Sequence, residues 1–504
     1  LKHSISFLYD VIFRIFSMIE IELKFQIPEA KRTALLKAID PKKSKTLPLQ
    51  ARYFDTTDRL LATHGIALRQ RLEGEHWVQT LKAAGKSHLH RFEHNHDFGV
   101  LDHTPALDLS IYPQNSEAWQ ILDHALNTQK KHLHLQFETD IQRTLRVIQF
   151  EDSEIEVCLD VGEIRTETAQ YAVHEVEFEL KSGTVENLLK FCFEWVKKYQ
   201  LWLDVRSKAE FGNLLLMQKT VSPARLGKNL TLNKKLSADA NLRQLIAQQL
   251  QHLLPNIAAI SAQVAEKTHI EQAHEALNQL YLSLSLFGQW SSINTEKWAH
   301  QLAAFKQQFE HLQHLQHMQQ TLGALLQNPK TAESLDQDLL YAKEKLQNLV
   351  KSSQNVQHYL ELLIFSLAED PQSNTQEIKS SAQHSLQQQY KAVQDSLNLV
   401  HEQPDDAIRQ LTQQLHALKF SFPLLTSIYD VKNLQKYSKA LQDAEQAAEQ
   451  YQVLASSMLY LQDTELEASD WFALGWLTAK QENYAEALIQ STEQFLLSRK
   501  FIKS

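Results

Sequence analysis

The chain of 504 residues is long enough for two or three domains, each able to bury its own core. A formal net charge of −9 argues against nucleic acid or an acidic membrane as a bulk partner, although it leaves room for a local basic cavity. Two cysteines, Cys158 and Cys192, exclude a disulfide framework and point to a reducing, cytoplasmic setting.

Residues 1–17 are read apart from the rest. Leu1 is not a usual initiator, and the apolar run Phe7 to Phe16 is broken by Asp10 and Arg14. It is too short to span a bilayer, and no small-residue cleavage site follows it. The expectation is an extension upstream of a natural start at Met18, either a misassigned start or a loosely packed strand, with no membrane role.

From Met18 to Phe25 apolar and charged residues alternate strictly, which predicts a strand with one buried face. Glu20, Glu22 and Lys24 share the other face, spaced about 7 Å apart. Alone this describes a solvated edge strand. The same device recurs along the next 160 or so residues, on strands that cannot all be edges. Pro28 to Ile39 reads as a helix with Leu35, Leu36 and Ile39 at helical spacing, and Arg52 to Thr56 as a second strand. Ile66 to Leu72 sets Arg69 and Arg71 on one face, Gly74 marks a turn, and Trp77 to Lys82 returns as a hairpin partner. Arg91-Phe92-Glu93 opens another extended stretch, and Glu138 to Phe150 is a strand carrying Arg143. Glu154 to Val161, ending before Gly162, puts Glu156, Cys158 and Asp160 on one face. Ala172 to Leu180 alternates Glu175, Glu177 and Glu179 with Val176, Phe178 and Leu180, and Val185 to Tyr199 reads as a covering helix.

About eight antiparallel strands with long charged side chains on one face cannot stack that face in a sandwich core. A closed barrel with a wet, charged interior and helices over its apolar outside resolves the conflict. The cations in such a lumen suit a polyanion, because guanidinium forks and ammonium groups match phosphate oxygens. The carboxylates would repel the same anion unless hard divalent cations, Mg²⁺ or Mn²⁺, bridged them to phosphate. A competing reading is an internal salt-bridge network that only neutralises a barrel core; buried ion pairs are weak stabilisers, which tells against it. There is no Gly-rich phosphate loop and no Ser-His-Asp arrangement.

These residues resemble the CYTH superfamily, the triphosphate tunnel metalloenzymes. The likeness runs in order through Glu20-x-Glu22-x-Lys24, Tyr53-Phe54-Asp55-Thr56, Leu68-Arg69-Gln70-Arg71, Thr80-Leu81-Lys82 and Arg91-Phe92-Glu93. It continues through Arg143, Asp160-Val161-Gly162, Glu175 to Lys181 and Ser207-Lys208-Ala209, covering about residues 18–217. The resemblance implies an eight-stranded antiparallel tunnel, an α+β domain. It also implies metal-dependent hydrolysis of inorganic tripolyphosphate to pyrophosphate and phosphate. Carried over by position, Lys24, Arg69, Arg71, Lys82, Arg91, Arg143 and Lys208 would bind substrate. Glu20, Glu22, Glu177 and Glu179 would hold Mg²⁺ or Mn²⁺, with Glu20, Glu22 and Lys82 catalytic. Glu93 would support the lining, and Asp160 and Glu175 could belong to either layer of the site. Thiamine or nucleoside triphosphates, or a class IV-type adenylate cyclase reaction, are alternatives on the same barrel; a polyphosphate-binding scaffold is a non-enzymatic one.

After a linker at residues 218–232, leucines fall at helical spacing from Leu242 to Leu254, before Pro255. Similar patterns fill Ile270 to Phe287, Trp298 to Leu326, Leu335 to Leu367, Thr375 to Val400, Asp406 to Tyr429, Val431 to Leu461 and Ala468 onward. Residues 233–504 are expected to form an all-α bundle. Its place after such a barrel resembles a CHAD domain, a module associated with polyphosphate binding, with His269 and His274 where that family's leading His motif falls. The basic stretch expected next is instead Glu275 to Tyr281, and Arg409 to Lys419 keeps only part of the basic character. His311, His314 and His317, at steps of three, drift around a helix and read as a solvated face rather than a metal site. Cys158 and Cys192 read as small core residues.

Overall fold

The computed structural model describes residues 19–85, 89–127, 132–291, 293–323, 325–326, 328–368, 378–400, 404–429, 434–462 and 466–498. The expected N-terminal extension, residues 1–17, lies outside the described residues. By contacts the chain divides into two compact units. The first is Leu1–Ala224 with Leu254–His269 and Val350–Ile364; the second is Arg225–Leu253, Ile270–Leu349 and Phe365–Ser504.

The strands of the first unit are β1 (Ile19–Gln26), β2 (Lys45–Asp55), β3 (Ile66–Glu73), β4 (His76–Ala84), β5 (His90–Val100), β6 (His134–Phe150), β7 (Ser153–Arg165), β8 (Gln170–Ser182) and β9 (Trp202–Leu203). They hydrogen-bond in the order β5-β4-β3-β2-β6-β7-β8-β1-β9. β1 also pairs with β5, Glu20 opposite Arg91, so eight antiparallel strands close into a barrel and β9 is appended to β1.

Register decides which side chains point inward, because partners across an antiparallel pair share a face. From Glu22 the trace runs to Glu179 and Glu156; from Lys24 to Glu177 and Cys158; from Gln26 to Glu175, Asp160, Arg143 and Leu47. On the other side Glu20 leads to Arg91, Lys82 to Glu93 and Ala67, and Thr80 to Arg69 and Tyr53. The two traces meet consistently at β2 and β6, so a single inner face carries the charged set. The opposite face carries Leu23, Phe25, Val157, Val176, Phe178, Leu68 and Leu81, all buried.

Five helices cover or close the barrel: α1 (Arg32–Ile39), α2 (Leu60–Thr63), α3 (Glu117–Leu126), α4 (Val185–Tyr199) and α5 (Lys208–Leu216). Phe191 and Trp195 of α4 meet Phe178 edge-on at 5.6 and 5.4 Å between ring centres. On α3, Ala118 and Leu122 pack against Leu68, Leu81 and Phe92. Within the same unit Ser353 Oγ and Gln357 Nε2 donate to the α4 carbonyls of Val196 and Phe193, each at 3.2 Å.

The charged interior gives way to an apolar one toward one end of the barrel. Phe211 and Leu214 of α5 pack among inward-facing Leu49, Ala51, Tyr53, Phe137, Ile141, Ile164 and Val173, forming an apolar floor at one end. Gly212 permits this approach, because a Cβ there would fall 2.2 Å from the Phe137 ring. Strand limits also differ, among them β2, which begins at Lys45 rather than Arg52, β6, which begins at His134 rather than Glu138, and β7, which runs on through Gly162 to Arg165.

The remaining described chain is all helical: α6 (Ala238–Ser261), α7 (Lys267–Phe287), α8 (Glu296–Leu322), α9 (Pro329–Val350), α10 (Ser353–Leu367), α11 (Ile378–Val400), α12 (Pro404–Thr426), α13 (Leu434–Gln462) and α14 (Ala468–Leu497). Helix α6 continues through Pro255 instead of ending before it. Leu253, Leu254, Ile257 and Ala258 are all buried around the proline, so packing outweighs the lost hydrogen bond. The stretch Leu335 to Leu367 is two helices, parted near Lys351 and Ser352. The histidines of α8 are not one solvated face: His311 is exposed, while half-buried His314 lies 3.3 Å from Gln452 Nε2 and His317 3.9 Å from Glu449, both on α13. The cysteines are free and buried; Cys158 faces inward beside the charged set, whereas Cys192 sits in α4.

Candidate active site

Alternation in β1 delivers Glu20, Glu22 and Lys24 to the lumen, and neighbouring strands bring them partners far away in sequence. Lys82 Nζ lies 2.5 Å from Glu20 Oε2 and 3.2 Å from Glu93 Oε2. Arg91 Nε is 3.5 Å from Glu22 Oε1, and Lys24 Nζ is 3.7 Å from Glu175 Oε2 while donating to the Arg206 carbonyl. Arg143 grips Asp160 with two parallel bonds of 2.7 Å and adds Glu177 at 2.5 Å. Lys208 Nζ stands among three carboxylates: Glu175 at 2.5 Å, Asp160 at 2.7 Å and Glu177 at 2.8 Å.

Arg69 and Arg71 occupy the β3 wall. Arg71 pairs with Glu73, whereas Arg69 Nη1 donates to the Tyr53 hydroxyl at 3.3 Å and its buried Nε has no hydrogen-bond partner. Gln70 between them faces outward, where its Nε2 donates to the Ala106 carbonyl at 3.0 Å.

Electrostatics divides the carboxylates into two kinds. Burial raises Glu20 well above the usual carboxylate range; Lys82 opposes this, and neighbouring Glu22 and Glu93 reinforce it. Burial likewise raises Glu175 and Glu179, against the pull of Lys208 on the first and Lys181 on the second. For Glu177 burial acts the same way, but Lys208 and Arg143 more than reverse it and hold the group well below its ordinary range. Asp160 follows Glu177, since burial is overcome there by Arg143 and Lys208. Burial also pushes Glu93 upward, and Lys82 more than reverses it.

The register thus brings every sequence-predicted site residue to the inner face or, for Lys208, to the first residue of α5 pointing into it. Ligand spacing is tighter than that. Among the described residues the three carboxylates whose oxygens lie within 4.8 Å of one another are Asp160, Glu175 and Glu177. Of the expected metal set only Glu177 belongs to that triad. Glu22 pairs across the strands with Glu179, which is held by Lys181 at 2.8 Å, and Glu20 sits with Lys82. The donors are carboxylate oxygens throughout, and Glu93 lies close enough to Glu20 to hydrogen-bond to it. A hard divalent cation fits such a set better than a soft one.

Two residues escaped the sequence reading. Asp204 and Arg206 form a bidentate pair at 2.8 and 2.9 Å, and the Arg206 guanidinium stacks 4.8 Å from the centre of the Phe211 ring. The signal was present: Asp204-x-Arg206-x-Lys208 repeats the alternation of the β1 run. Helix α5 was missed too, although Ser207-x-x-Glu210 is a capping signature and Ser207 Oγ accepts from the Glu210 amide at 3.1 Å.

Residues 18–210 match the CYTH domain profile, a span that contains the barrel strands and every charged lumen residue named above. This part of the chain is therefore similar to the CYTH domain. Over 168 residues the chain is 33% identical to an inorganic triphosphatase from Haemophilus influenzae, a stretch covering 32% of this chain and 44% of that protein. The match therefore spans less than half the length of that relative. A solved Hippeastrum structure, described as a candidate adenylyl cyclase with a dominant triphosphatase activity, is 17% identical. The alignment covers 40% of this chain and 98% of that one, with a TM-score of 0.29. A CHAD domain from Ricinus communis is 13% identical over 55% of this chain and 96% of its own, with a TM-score of 0.45. Among the described residues no helix is long and apolar enough to cross a membrane.

Proposed function

We propose that the CYTH-like domain hydrolyses inorganic tripolyphosphate to pyrophosphate and phosphate with the help of Mg²⁺ or Mn²⁺. The observation that carries this reading is the pairing inside the lumen, where cations and carboxylates from seven strands and α5 converge in one buried space. Holding so many charges away from water is unfavourable unless something exploits it. A triphosphate with its cation exploits both halves, the anion taking the ammonium and guanidinium groups and the cation the carboxylates.

In this reading Lys24, Arg69, Arg71, Lys82, Arg91, Arg143 and Lys208 leave their present partners and bind phosphoryl oxygens. Arg69, whose Nε has no partner, is the most readily recruited. Glu20, Glu22, Glu177 and Glu179 would hold the divalent cation, which when bound neutralises and polarises the phosphate chain. Glu20 and Glu22 orient the attacking water. The raised proton affinity of Glu20 suits it to take that water's proton. Lys82, between Glu20 and Glu93, keeps a positive charge beside the phosphorus that is attacked. No covalent intermediate is needed, because positioning and charge neutralisation account for phosphoryl transfer.

The test is a phosphate-release panel of tripolyphosphate, ATP, thiamine triphosphate and long-chain polyphosphate, each with Mg²⁺, Mn²⁺ or chelator. Tripolyphosphate should be preferred and chelator should abolish turnover. ATP preference with pyrophosphate as product would replace this reading by a cyclase. Tight binding of long polyphosphate without release would replace it by a scaffold.

A further inference from the structure

The N-terminal part of α14 is apolar on both sides. Its inner side is buried through Ala473 and Leu477. Its outer side presents Trp471, Phe472 and Trp476, which are 59%, 63% and 37% exposed. Ala468, Gly475 and Ala479 are exposed among them. These positions recur at three- and four-residue steps and so form one stripe, with no charged residue in it from Ala468 to Ala479. Leu459, 63% exposed, adds to the same end of the helical hairpin from α13. A helix that is apolar all round belongs in an interior, and aromatic-rich exposed patches mark contact surfaces.

Gly475 is a second, separate observation. Glycine destabilises a helix interior, and a Cβ at Gly475 would meet nothing within 4 Å. Packing among the described residues therefore gives no reason for a glycine. Flanked by Phe472 and Trp476, it leaves a notch on an otherwise bulky stripe.

We propose that two copies of the chain pack here, α14 against α14 about a two-fold axis, with an aromatic side chain of each copy seated over Gly475 of the other. The stripe holds both the knob and the notch, as an isologous contact requires. From Ala468 to Ala479 it carries no charge that would select a partner of opposite sign; Lys480, its Nζ 5.6 Å from the centre of the Trp476 ring, bounds it. At roughly 200 Å² per aromatic side chain, the exposed fractions amount to about 300 Å² per copy. With Leu459 and the alanines, the two copies together bury on the order of 1,000 Å², the lower bound for a specific interface.

Light scattering of the full chain should give twice its mass of 58.1 kDa. Trp471→Glu and Trp476→Glu should each return the single-chain mass with unchanged circular dichroism and unchanged tripolyphosphate turnover. Gly475→Cys should form a covalent dimer on treatment with diamide, reversed by dithiothreitol, while the wild-type chain with its two buried cysteines should not. A wild-type chain that stays single at high micromolar concentration overturns the proposal. So does a dimer that survives Trp476→Glu, or a single chain whose tryptophans resist acrylamide quenching because the chain itself covers the stripe.

Discussion

The barrel and the helical portion both contain many ion pairs, but of different kinds. In the barrel the partners are far apart in sequence and near each other in a buried space: Lys82 with Glu20, Arg143 with Glu177, Lys208 with Asp160, Glu175 and Glu177. In the helices several pairs are local steps along one helix, such as Lys306 with Glu310 and Arg409 with Asp406. Others bridge neighbours at the rim, such as Lys419 with Glu445 and Lys330 with Glu467. Local pairs follow from helix geometry and contribute little. Converging pairs oppose burial and persist only where the fold enforces them. The contrast is why the proposed chemistry is assigned to the barrel.

The largest expected break is Lys208→Met. Removing the ammonium from among three carboxylates leaves buried charges uncompensated, and the barrel should lose roughly 3–5 kcal/mol in chemical denaturation. If the loss stays below about 1 kcal/mol, the three carboxylates are not the buried, mutually dependent set described. Next come Lys82→Ala and Glu22→Ala, each expected to cut tripolyphosphate turnover about a hundredfold, about 3 kcal/mol in the barrier, with the fold intact by circular dichroism. Near-normal rates from both variants would remove the lumen from the chemistry.

A pH experiment probes the helices. Burial lowers His274 to about 4, below its ordinary 6.5, and its Nε2 accepts from Asn278 Nδ2 at 3.1 Å. The unfolded chain therefore binds the extra proton between those two values. This contribution to stability is whole above pH 6.5 and is lost as pH falls towards 4. By linkage it amounts to no more than roughly 3 kcal/mol. Amide protection factors in α7, corrected for the intrinsic pH dependence of exchange, should fall across that window and do so much less in His274→Gln; an equal fall in both would assign the effect elsewhere. The smallest effect is expected from Arg409→Ala, whose exposed pair with Asp406 should shift thermal unfolding by the equivalent of about 0.5 kcal/mol or less.

His274 also shows why the helical portion is hard to read for function. A buried, neutral imidazole offers no charge to an anion, and His269 has both ring nitrogens engaged, one with the Ser222 carbonyl at 2.9 Å and one with the Glu266 amide at 3.1 Å. Sequence spacing alone could not reveal either state. In the barrel, by contrast, period-two alternation carried most of the information. It gave the strands, the inward face and the residues on it, because a closed sheet leaves each side chain two choices.

What alternation could not give was depth. Leu49, Ala51 and Phe137 also point inward, yet they read as ordinary core because an apolar residue looks the same on either face. The start of β2 was hidden by Pro48. That stretch has β6 beside it from Lys45 onward but β3 only from Leu49, and a proline is tolerated where one flank lacks a partner. Pro255 misled in the other direction, since burial on all sides of it carried α6 onward.

Phe211 and Leu214 set apolar side chains, not cations, at one end of the barrel, among the inward-facing Leu49, Ala51, Phe137 and Ile141. An anion bound by the charged side chains would find no partner at that end, so the proposed substrate and its products would be held away from it.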